Sequence, residues 1–128
     1  MGAKVYTIER HQILFEKTNA LLTELGYSHI RTLLGDGHQG AERFAPFDRI
    51  IVTCGADKVP PLLLQQLKVG GIMVIPLGRG EVKTMVKIKK ESDHKYVTTE
   101  HGYCTFVPFL KGVSQEKKHS IENKRVRL

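Results

Sequence analysis

The sequence predicts an α/β protein with a doubly wound, mostly parallel sheet that ends in an antiparallel β-hairpin. Two observations carry this prediction. Apolar runs with strand character alternate with helix-like spacing as far as Ile75, the pattern of strands joined by crossover helices. Beyond Gly78 the pattern changes to two long alternating runs with no helix between them.

The elements follow in order. Lys4-Val5-Tyr6-Thr7-Ile8 is β-branched and aromatic, reads as a strand, and ends at Glu9-Arg10. From His11 to Leu25, the residues Ile13, Leu14, Leu21, Leu22 and Leu25 make one helical stripe, and Gly26 stands where a C-terminal cap belongs. His29 to Leu34 reads as a second strand, closed by Gly35-Asp36-Gly37. Phe47-Asp48 introduces Arg49-Ile50-Ile51-Val52-Thr53-Cys54, nearly continuous and apolar, as expected of a strand covered on both faces. Pro60-Pro61 suits the first turn of a helix carrying Leu62, Leu63, Leu64 and Leu67. Gly70-Gly71 ends that helix, and Ile72-Met73-Val74-Ile75 is the next strand. The stretch Lys83 to Lys90, a polar turn at Glu91-Ser92-Asp93-His94, and the run from Tyr96 to Phe109 make the terminal hairpin.

At 128 residues the chain is at most one domain, with 41% hydrophobic and 26% charged residues, as in a soluble globular protein. No apolar run reaches the roughly 20 residues that cross a bilayer, and no signal-peptide pattern stands at the N-terminus. A cytoplasmic setting is the expectation. Cys54 and Cys104 are far apart and outside any C-x-x-C pair, so two free buried thiols are expected. The histidines show no metal-ligand spacing, and no metal is expected. Of the net charge of +7, residues 111–128 carry +4, a basic tail of the kind usually solvated. Nucleic acid is an unlikely partner for it.

Two places could hold a nucleoside. Glu9 ends the first strand, where a carboxylate can accept hydrogen bonds from both ribose hydroxyls of an adenosine-containing cofactor. Gly35-Asp36-Gly37 ends the next one. There the glycines admit a flat ring and the carboxylate can accept from an exocyclic amine, although Asp-Gly is also a common turn pair.

The most specific stretch is Phe47-Asp48-Arg49-Ile50-Ile51-Val52 followed by Leu67-Lys68-Val69-Gly70-Gly71-Ile72-Met73-Val74-Ile75. It resembles S-adenosylmethionine-dependent methyltransferases, and within them the protein-L-isoaspartate O-methyltransferases. Gly35-Asp36-Gly37, Ala45-Pro46-Phe47-Asp48, Val74-Ile75-Pro76-Leu77-Gly78 and Phe106-Val107-Pro108-Phe109 carry the closer likeness, in the family's order. It runs from about Gly2 to Leu110. The resemblance implies a Rossmann-like class I methyltransferase sheet, incomplete at the N-terminus, over 1–110, with 111–128 as a basic tail.

The resemblance also implies chemistry. The family moves a methyl group from S-adenosylmethionine to the α-carboxylate of isoaspartyl residues in damaged proteins or peptides, a repair reaction. Glu9 would hold the ribose, Asp36 and Gly37 would border the adenine, and Gln115 would lie where the tail closes over the cofactor. Thr53, Cys54, Gly55 and Ala56 would face the substrate. The family usually reads T/G-A-A-A-P there, whereas this chain continues into Asp57. The family's G-x-G-x-G-Y loop and its hydroxyl-bearing active-site segment have no match here, so no catalytic residue is assigned. Two alternatives stand beside this reading: a nicotinamide-type Rossmann fragment, against which the L-K-x-G-G turn and hairpin argue, and a non-catalytic module binding protein or nucleic acid through its basic tail. The missing loop predicts weak or no binding of S-adenosylmethionine by this polypeptide alone. Micromolar binding in isothermal titration would refute that.

Overall fold

Alternating strands and helices up to residue 77, then a hairpin, are what the computed structural model contains; it describes residues 2–115. The basic run from residue 116 onward lies outside the described residues. The chain divides into two units, residues 1–37 with 111–128 and residues 38–110.

The first unit is a strand–helix–strand crossover. Val5–Glu9 (β1) and Ile30–Leu34 (β2) pair in parallel, with Val5 opposite Ile30 and Glu9 opposite Leu34. Gln12–Glu24 (α1) connects them. The helix ends where Gly26 predicts: Gly26 has φ 81°, and the Tyr27 N–H reaches back to the Leu22 carbonyl at 2.9 Å, closing the last turn. The Thr32 hydroxyl ties β2 to the helix through Asn19 Oδ1 at 2.8 Å. The helical stripe is less covered than its spacing suggests. Leu14, Leu21 and Leu25 are exposed, while Ile13, Phe15 and Leu22 are half-buried against a sheet only two strands wide.

The second unit holds the whole buried apolar core of the described residues. Its sheet has the order Phe47–Ile51 (β3), Leu67–Leu77 (β4), Val82–Ser92 (β5), Lys95–Thr105 (β6). The β3–β4 pair is parallel and the other two are antiparallel. Met73 and Ile75 of β4 and Val86 and Ile88 of β5 point to one face and are buried with Val52, Ala56, Leu63 and Leu67. On β5 the period of two is plain, since Lys87 and Lys89 are exposed between buried neighbours. The hairpin turns at Asp93-His94, with Ser92 opposite Lys95 and an ion pair from Lys95 to Glu91 at 3.2 Å.

Three local expectations are corrected here. Strand β3 starts at Phe47 and ends at Ile51, short of Cys54, and it is not covered on both faces. It is the edge of its sheet, paired only with β4, and Ile51 is 74% exposed. The helix α2, Pro61–Gln66, is only six residues long, and Leu67 already belongs to β4, opposite Phe47. Finally, β6 ends at Thr105, so Phe106 to Phe109 continue outside the ladder.

So short a helix needs outside help at its C-terminus. Buried Lys90 supplies it: its ammonium donates to the carbonyls of Leu64 at 3.2 Å and Gln65 at 3.5 Å, beside the Tyr96 ring. Gln66 is also buried. Its amide accepts the Ala41 N–H and donates to the Gln39 carbonyl, both at 2.9 Å, anchoring the loop before β3.

The Gly70-Gly71 pair has a steric reason within β4. Gly70 has φ +86°, and a Cβ on Gly71 would lie 2.7 Å from the Lys68 carbonyl oxygen and 3.1 Å from that of Asp48. Both obstacles are backbone and cannot rotate away. Gly71→Ala is therefore expected to lower stability by about 1–3 kcal/mol, read as a fall in the urea midpoint.

Candidate functional site

In the first unit the parallel pairing sets the carboxyl ends of β1 and β2 side by side, the end at which open α/β sheets bind ligands. Glu9 is the last residue of β1. Its Oε1 accepts the His11 N–H at 2.9 Å, and its main-chain carbonyl accepts the Gly35 N–H at 3.0 Å. This second bond joins Glu9 to the Gly35-Asp36-Gly37 turn. Asp36 and Gly37 are half-buried there, and Gly37 opens a 3-10 turn over Gly37–Gln39. The structure thus brings Glu9, Asp36 and Gly37 to one strand end.

The stretch 111–115 comes to the same end. The Ser114 N–H donates to the Arg10 carbonyl at 2.7 Å, and the Gln12 N–H donates to the Ser114 carbonyl at 2.9 Å. The Arg10 guanidinium holds the carbonyls of Gly112 at 3.2 Å and Lys111 at 3.4 Å. Gln115 follows directly and is exposed. Arg10 was not singled out in the sequence. Its partners lie more than 100 residues away, and no local pattern announces them. His11, also unannounced, carries a buried Nδ1 with no partner among the described residues.

The second unit holds the segment Thr53, Cys54, Gly55 and Ala56, directly after β3. Thr53 is exposed, Cys54 half-buried, Gly55 and Ala56 buried. Backbone bonds fix it on two sides. The Gly55 N–H donates to the Val107 carbonyl at 2.7 Å and its carbonyl accepts the Phe109 N–H at 2.9 Å. The Ala56 N–H donates to the Pro76 carbonyl at 2.9 Å, and the Ala56 carbonyl accepts the Gly78 N–H at 3.0 Å. The Pro76–Gly78 and Val107–Phe109 motifs are therefore the two walls that clamp this loop. The His38 ring stacks on Phe109 with centroids 3.8 Å apart.

Beneath the loop runs Lys83, another residue the sequence did not mark. A Cβ on Gly55 would lie 2.6 Å from Lys83 Cε, so glycine is what lets the lysine stem pass. Its ammonium donates to the Gly78 carbonyl and stands 3.8 Å from Asp57 Oδ1. Cys54 and Cys104 are both free and half-buried. Among the described residues no group of three or more His, Cys, Asp or Glu could hold a metal ion, and no helix is long and apolar enough to cross a membrane.

These strand ends and this hairpin-closed sheet are those of a Rossmann-like methyltransferase. A protein-L-isoaspartate (D-aspartate) O-methyltransferase family model matches residues 1–114, and the chain belongs to that family. The protein-L-isoaspartate O-methyltransferase of Christiangramia forsetii is 47% identical over 110 residues, which are 86% of this chain and 51% of that protein. That of Cytophaga hutchinsonii is 46% identical, over 86% of this chain and 49% of the relative. The chain thus spans about half the length of the curated relatives it matches. A solved protein-L-isoaspartate O-methyltransferase aligns with TM-score 0.78 and 26% identity, over 95% of this chain and 38% of that one. A Plasmodium falciparum structure in complex with S-adenosyl-L-homocysteine shares the fold, with TM-score 0.73 and 19% identity over 84% of this chain and 53% of that one.

Ser114→Pro removes the N–H that donates to Arg10 and should release the 111–115 stretch from the end of β1. Faster tryptic cleavage after Lys111, with the hairpin still protected, is the expected result.

Proposed function

We propose that this chain takes part in methyl transfer from S-adenosylmethionine to the α-carboxylate of isoaspartyl residues in damaged proteins or peptides. The observation that carries the reading is the bond from the Gly35 N–H to the Glu9 carbonyl, which couples an acidic strand end to a glycine-flanked carboxylate. The donor set fits an adenosine. The Glu9 carboxylate accepts the His11 N–H, and a carboxylate has room for about four such bonds. It would take both ribose hydroxyls, Asp36 would accept from the adenine amine, and Gly37 would let the ring lie close to the backbone. Gln115, at the end of the stretch held by Arg10, would cover the nucleoside.

When bound, S-adenosylmethionine supplies a sulfonium methyl, whose S–C bond breaks as the new O–C bond forms. The chain's own part is to bind and align. An α-carboxylate with a pKa of roughly 3.5 is already ionised at neutral pH, so no residue has to remove a proton. Thr53, Cys54, Gly55 and Ala56, held by backbone bonds on both sides, would present that carboxylate in a fixed orientation. The partners on this reading are isoaspartyl proteins or peptides. A cytoplasmic setting goes with it, since the two free thiols suit a reducing compartment.

Adenosylhomocysteine titrated into isotopically labelled chain should shift the amides of Glu9 to His11 and Gly35 to Gly37, with an affinity only in the millimolar range. Glu9→Ala should weaken it by about tenfold, the loss of charge-assisted hydrogen bonds. No shift at those amides at millimolar ligand would overturn the reading.

A further inference from the structure

Lys83 is a charged side chain, only 8% exposed, that runs directly under Gly55 of the loop from Thr53 to Ala56. Burying an ammonium is costly unless its donors are filled. Here they are filled sparingly. Of three N–H donors, one serves the Gly78 carbonyl. Among the described residues the remaining compensation is Asp57, at 3.8 Å, too long for a hydrogen bond, on a side chain that is 75% exposed. A surface carboxylate at that distance is weakly held.

The exposure of Asp57 matters in a second way. Its carboxylate stands in solvent and still lies within 4 Å of Nζ, so a carboxylate on the solvent side already reaches that distance from the buried ammonium. Gly55 fixes the stem, because any side chain there would occupy the path of Cε and Cδ. The cation is thus a fixed point beside Gly55 and Ala56, with spare donor capacity and one loosely placed anion in front of it.

We propose that Lys83 and Asp57 form a carboxylate-selecting pair. Lys83 receives the carboxylate of a peptide, and Asp57 competes for the same ammonium from within the chain. This rests on the proposed function, in which the loop from Thr53 to Ala56 faces a carboxylate-bearing peptide. The pair sets specificity: it favours a free carboxylate over a neutral ester, and so favours release of the methylated product. No proton moves in this exchange of one carboxylate for another.

The two residues have opposite effects on this account, which a merely structural role would not produce. The probes are an amidated peptide whose only carboxylate is that of one isoaspartyl residue, and the same peptide as its α-methyl ester. Each is titrated by chemical shift into the full chain. Lys83→Gln keeps a donor for the Gly78 carbonyl but removes the charge. It should reduce the preference for acid over ester about tenfold, mainly by weakening the acid. Asp57→Asn, on an exposed side chain, should raise that preference about threefold by removing the competitor. A preference that stays unchanged in Asp57→Asn, or that moves the same way in both variants, overturns the pair. Should Lys83→Gln fail to fold, the Asp57→Asn result decides alone. A wild-type chain that shifts at the nucleoside amides with adenosylhomocysteine but binds neither peptide overturns the substrate assignment and the pair with it, while leaving the cofactor assignment standing.

Discussion

Burial of β4 is the constraint on which the larger unit depends. The largest fully buried side chains, Leu67, Met73, Ile75 and Pro76, all lie on this one strand. It is paired on both sides, parallel to β3 and antiparallel to β5. Its hydrogen bonds leave no edge, and its inward side chains meet Val86 and Ile88 from the hairpin and Leu63 from α2. Pro76, which lacks a donor, still offers its carbonyl to Ala56, so the strand's last residues pass directly into the clamp on the loop from Thr53 to Ala56. The most rigid part of the fold is thereby the support of its candidate chemistry.

Each unit has its own candidate residues, with different physical demands. On the proposed reading Glu9 and Asp36 would present carboxylates to a nucleoside, which calls for partial desolvation and fixed direction. Both are half-buried, and the His11 N–H fixes the Glu9 side chain. The loop from Thr53 to Ala56, proposed to face a peptide, is held through four backbone bonds around Gly55 and Ala56. Such a loop can vary an exposed side chain such as that of Thr53, whereas Gly55 is held to glycine by the Lys83 stem beneath it.

What was legible in the sequence was local. The α1 terminus at Gly26, the Glu9 strand end, the turn at Asp36 and the hairpin each follow from propensity and spacing within a dozen residues, and the structure has them. The family, too, was readable from linked motifs. Other features depend on distant pairing. Leu67 reads as helical beside Leu62 to Leu64, yet its partner is Phe47, which draws it into β4. Continuous apolarity from Ile50 to Val52 suggests a covered strand, but periodicity does not reveal how many neighbours a strand has. Nothing in the sequence marks Arg10, Lys83 or Lys90. Each finds main-chain carbonyls elsewhere in the fold, a role with no sequence signature.

The bonds between Arg10 to Gln12 and the stretch 111–115 have a temporal consequence. One partner lies near the beginning of the chain and the other about a hundred residues later. At roughly 5–20 residues per second of synthesis, the end of β1 waits on the order of ten seconds for its partner. The hairpin, whose contacts are between neighbours, has no such wait. The strand that carries Glu9 is thus made about a hundred residues before the segment that hydrogen-bonds to its end.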